Sequence, residues 1–214
     1  MAVLSLVNRS VLLSYCNLME ELKLRHAIVM KILTDAKERR FTLPPFAAGD
    51  LCYVQLRKIC ELIALGCLLV HGDIPGTRTQ KMRKASAADW IINRLSEINP
   101  SFYPLPGIQK LDKAGKLITI EPNSKPYLTK PDLLTLYVEC GAKLHRGTLG
   151  DILKARGKPS DFVRILKWSA KITQLLNFHR IPLAGGQHEI WVTMDSLGDG
   201  KVRHEVMIRV PDEI

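Results

Sequence analysis

The chain has 214 residues, 46% of them hydrophobic and 24% charged, a balance that excludes a disordered chain and leaves room for a substantial core. Its longest apolar run, Leu62 to Val70, is far short of the roughly 20 residues a bilayer requires, so no membrane partner is expected. Net charge is +10, a positive field that favours polyanions, nucleic acid above all.

The first sixteen residues are mostly apolar, but no basic segment precedes the apolar stretch and Arg9 interrupts it. No secretory leader is expected. Residues 2–15 suit a short helix. From Asn17 to Arg39, Leu18, Leu22, Val29, Ile32 and Leu33 keep helical spacing on one face, and the basic run 37–40 suits a helix C-terminus. Pro44 and Pro45 break the chain. A second helix is predicted over 47–71; its apolar second half makes it the central, buried one, and Gly72 and Pro75 stop it. Residues 76–85 read as a basic connection, and Ser86 as the cap of a third helix over 87–97.

Three prolines make 100–109 a loop, and residues 111–122 read as a hairpin turning near Lys113-Ala114-Gly115. Thr129 and Asp132 form a capping box around Pro131, starting a helix that runs to about His145. Gly147 ends it; Thr148 to Asp151 starts a short helix to 155, and another covers 161–176. Three strands follow, 178–183, 188–194 and 202–210. Ile190, Val192 and Met194 share a face, as do Val206, Ile208 and Val210. Pairing those faces requires an odd number of loop residues, which excludes a tight two-residue turn at Asp199-Gly200.

The expected fold is α+β, with about six helices and a small C-terminal antiparallel β-meander. The chain divides into a helical region (1–100), a loop with a hairpin (101–128), a helical region packed on the first (129–178) and the meander (179–214), together one compact unit.

Five cysteines without CxxC spacing point to free, buried thiols in a reducing cytoplasm. No histidine pair has i,i+4 spacing, so no metal or other cofactor is expected. No nucleophile elbow, phosphate loop or dinucleotide fingerprint occurs. Two basic clusters stand out. One holds Arg78, Lys81, Arg83 and Lys84. The other holds Lys143, Arg146, Lys154, Arg156, Lys158, Arg164 and Lys167, around the corner after residue 145. Aromatic residues are sparse in both, so phosphate contact is indicated rather than base stacking. Candidate nucleic-acid contacts are Arg78, Arg83, Lys84, Lys143, Arg146 and Lys154, with His145 beside them. A rival reading gathers Arg57, Glu61, Tyr137 and His145 in one catalytic cleft; its plainer counterpart makes Arg57–Glu61 a structural ion pair and His145 a helix-end residue.

The stretch LRKICELIALGCLL, with Arg57 and Glu61, followed by LYVECGAKLH, resembles the HEPN-like helical families of bacterial defence and toxin–antitoxin loci. That resemblance implies a cytosolic bacterial binding protein, contacting nucleic acid or a protein partner in phage defence or regulation. Ribonucleases of this type carry an arginine, then four to six intervening residues, then a histidine. None of the six histidines here is so placed, which implies a non-cleaving or divergent member. The alternatives are a divergent nuclease or transferase and a structural homodimer module.

Overall fold

The computed structural model describes residues 8–40, 42–113, 117–145 and 161–208. Helix α1 (Arg9–Lys37) is followed by α2 (Pro45–Val70), a single turn α3 (Gln80–Arg83) and α4 (Ala88–Ile98). Strands β1 (Leu105–Leu111) and β2 (Leu117–Pro122) precede α5 (Lys130–Leu144) and α6 (Phe162–Leu176), and β3 (Phe178–Pro182), β4 (His188–Thr193) and β5 (Arg203–Ile208) complete the fold. The expected α+β fold is what forms. The short helix foreseen over 148–155, and with it Arg146 and Lys154, lies outside the described residues.

Helix α1 is one continuous element, where a short helix and a second starting at Asn17 were expected. No Gly or Pro interrupts 9–17, and the Asn8 side chain accepts a hydrogen bond from Ser10 N, capping the earlier start. Two further boundaries differ. The basic connection 76–85 contains α3, capped by Thr79 through Met82 N. Helix α4 begins one residue late, with Ala87 at its N-cap instead of Ser86; Asp89 serves its first turn by accepting from Trp90 N. The capping box of Thr129 and Asp132 forms as expected.

Helices α1 and α2 run antiparallel, with Tyr15 against Gly66 at one end and Arg25 donating to Gln55 (3.0 Å) at the other. The apolar half of α2 is the centre of the core. Leu56, Ile59, Ile63 and Ala64 are buried there, between Met19 and Leu22 of α1 and Leu133, Leu136 and Cys140 of α5. All five cysteines are buried and free. Gly66 sets the approach of α1: a Cβ there would stand 2.9 Å from Tyr15 Cε2. Gly66→Val is therefore expected to cost about 3 kcal/mol or more by overpacking and Gly66→Ala distinctly less, read as the shift in urea midpoint at constant m.

All strand pairs are antiparallel, in the order β2-β1-β3-β4-β5. The sheet is thus larger than the three-stranded meander expected. The hairpin of the 101–128 segment joins it because Leu105 and Pro106 pair with Arg180 and His179. Residues 105–109, expected as loop on account of their prolines, are strand: Pro104 precedes β1 and Pro106 sits near its start, where a missing N–H is tolerated. Thr193 pairs with Arg203, leaving nine residues between β4 and β5, the odd count that parity demands. Lys23 of α1 holds that loop, donating to Met194 O (2.9 Å) and Gly200 O and pairing with Asp195 (2.8 Å). Glu20 accepts from Val202 N.

Candidate nucleic-acid interface

The rival catalytic set is partly assembled. The two helices that carry it, α2 and α5, pack antiparallel, so Arg57 reaches the middle of α5. Its guanidinium lies 2.7 Å from the Tyr137 hydroxyl, 3.3 Å from Tyr137 O and 4.0 Å above the Tyr137 ring, and 3.6 Å from Glu61. The guanidinium also covers Gly141, 3.3 Å from where a Cβ would stand. Glu61 is shared with Lys58 at 2.8 Å. Burial, with Glu61 nearby, raises the Tyr137 pKa against the opposing pull of Arg57. The phenol is thus neutral and buried, and the arginine's two hydrogen bonds both go to Tyr137, the arginine side chain remaining 33% exposed. His145 is the exposed C-cap of α5, its N–H bonded to Gly141 O, two turns beyond Tyr137.

Two further pairs have the composition of a catalytic dyad without its chemistry. His26 Nε2 lies 2.6 Å from Ser169 Oγ, but Ser169 is fully buried mid-helix with Met30 Sδ at 3.2 Å, so no substrate carbonyl can reach the hydroxyl. Cys16 Sγ lies 3.3 Å from His204 Nδ1. Burial, seconded by Glu20, raises the thiol and burial lowers the imidazole, so both stay neutral, the opposite of an activated thiolate. The other buried histidine of this region, His179, accepts from the Tyr15 hydroxyl at Nε2 (2.8 Å) and donates from Nδ1 to Leu176 O (2.9 Å). His188 and His204 fall at opposite ends of the β4–β5 pair. Among the described residues no group of three His, Cys, Asp or Glu could hold a metal ion.

Each basic cluster has one arginine held by an acid. In the second, Arg164 is bound bidentately by Glu139 of α5 (2.6 and 2.6 Å). Glu139 also accepts from Trp168 Nε1 (3.2 Å) and Tyr53 OH (3.3 Å), and these donors hold its carboxyl below the ordinary range although burial pushes it the other way. Lys143 lies over the Tyr53 ring at 5.9 Å. This acidic hub joining α2, α5 and α6 had no local signature, because its members are 25 to 86 residues apart.

The first cluster follows the opposite end of α2. From Tyr53, beside Lys143, to His71 is 18 residues of helix, or about 27 Å, so the clusters are two surfaces and not one. Arg83 and Lys84 are exposed, and among the described residues neither pairs with a carboxylate; Arg78 pairs with Asp73 at 3.0 Å. Lys81 lies 5.0 Å from the Trp90 ring centre, so an aromatic group does border the cluster. Arg78 and Arg83 line the mouth of a recess of about 270 Å³ whose walls include Val11, Leu68, Leu69 and Met82.

A scan against protein-family models finds no matching family, and searches of curated proteins and of solved structures return no match.

Proposed function

We propose that this protein binds nucleic acid through the basic cap that follows α2, with Arg83 and Lys84 as its principal phosphate contacts and Arg78 beside them. The observation that carries the reading is the adjacent, exposed pair Arg83 and Lys84. They project from a short turn, and among the described residues neither pairs with a carboxylate, while Arg78 beside them pairs with Asp73. A net charge of +10 supplies the long-range attraction. The resemblance to HEPN-like families, read as a non-cleaving member in a defence or regulatory setting, accords with binding without catalysis. Arg57, Glu61 and Tyr137 serve in this reading as a clamp between α2 and α5.

Fluorescence anisotropy with labelled oligonucleotides, from about 50 to 200 mM salt, tests it. Affinity is expected to fall steeply with salt. Replacing Arg83 and Lys84 together with alanine is expected to reduce the slope of log K against log salt by roughly 0.7–0.9 per cation removed. No binding at the lowest salt ends the proposal.

A further inference from the structure

We infer that the recess beneath Arg78 and Arg83 receives one unpaired nucleobase, so that the protein selects single strands over duplex; this rests on the nucleic-acid reading above. The argument is one of shape and charge together. The walls are apolar: Val11 from α1, Leu68 and Leu69 from the end of α2, and Met82 from α3, the last of these buried. Thr77, also buried in the lining, spends its hydroxyl on His71 O (3.1 Å) and Ile74 O (2.8 Å). The interior therefore offers van der Waals contact to a flat ring and little that would read its edge. At about 270 Å³ the space lies just below the roughly 300–1,000 Å³ of sites for drug-sized molecules, room for a ring system but not for a nucleotide chain.

The rim complements a phosphate next to that base. Arg83 is unpaired by carboxylates among the described residues, and the exposed Lys84 follows it. Among the described residues Asp73 is the one acid in the lining, and it is engaged by Arg78. A base stacked inside a duplex cannot enter such a recess without being unpaired first, which costs a few kcal/mol. Single strands escape that cost, and sequence preference is expected to be slight.

The experiment compares three fluorescein-labelled probes on the full chain: oligo(dT), a strand of equal length with abasic sites throughout, and a duplex of equal length. Oligo(dT) is expected to bind roughly five- to a hundredfold more tightly than the abasic strand, with equal salt slopes, and more tightly than the duplex. Val11→Trp, which fills the recess from its α1 wall, is expected to bring oligo(dT) down to the abasic level and leave abasic binding unchanged. Equal affinity of the wild-type chain for dT and abasic strands overturns the inference while leaving the basic cap standing. Failure to bind any of the three overturns both, and neither outcome depends on the variant folding.

Discussion

Lowering the pH from about 7 to about 4 is expected to remove about 3 kcal/mol of stability, with His179 the largest single source. The imidazole is fully buried between α1 and the sheet, and desolvation pulls its pKa from 6.5 to about 4. In the unfolded chain the ring takes up its proton below pH 6.5; in the fold it resists until about pH 4. Between those values the unfolded state binds more protons, so stability rises with pH and is lost on acidification, by about 1.4 kcal/mol per pKa unit. Protonation would also turn Nε2 from acceptor to donor and set it against the hydrogen of Tyr15, whose hydroxyl burial keeps protonated. His26 and His204, both lowered by burial, lose stability in the same direction. Urea midpoints measured between about pH 7 and 4 read the effect. His179→Gln should be less stable at neutral pH but flatter across the window. A wild-type profile that is already flat there contradicts the assignment.

Glu139→Ala is expected to cost about 3 kcal/mol. The carboxylate is the common acceptor of Arg164, Trp168 and Tyr53, and its removal leaves two largely buried donors without a described partner at once. Arg164→Ala should cost only about 1 kcal/mol, because the arginine side chain is half exposed and Glu139 keeps its other two donors. A double-mutant cycle separates the arginine pair from the rest of the hub. Since the Glu139 carboxyl is held below 4.5, its contribution is present above that pH and is lost as pH falls through the lower, folded value. Similar losses from the two single variants would mean that Trp168 and Tyr53 gain little from the carboxylate.

These two groups mark the limit of what the chain shows before it folds. Local signals read well. The box of Thr129 and Asp132 placed the start of α5, and the alternation of Ile190 and Val192 with Val206 required an odd loop between β4 and β5. Arg57 and Glu61 are one helical turn apart, and their pairing was visible for that reason. Tyr15 and His179 are separated by 164 residues, and no periodicity connects them. Glu139 finds its partners only when α6 brings Arg164 and Trp168 to it. The basic cap was legible as charge, but its separation from the Lys143 cluster depends on the length and direction of α2. The proline-rich approach to β1 misled for a related reason: Leu105 and Pro106 become strand only once β3 lies alongside.

That last pairing has a consequence for synthesis. A ribosome delivers β1 about seventy residues before the β3 segment that flanks it, and the β1–β2 hairpin alone is at best marginally stable in water. Throughout that interval β1 keeps one edge unsatisfied, with Ile108 and Leu111 among its exposed side chains. The nascent chain is most vulnerable to aggregation after α5 emerges and before β3 does, and folding of the finished chain should be paced by closure of that long loop.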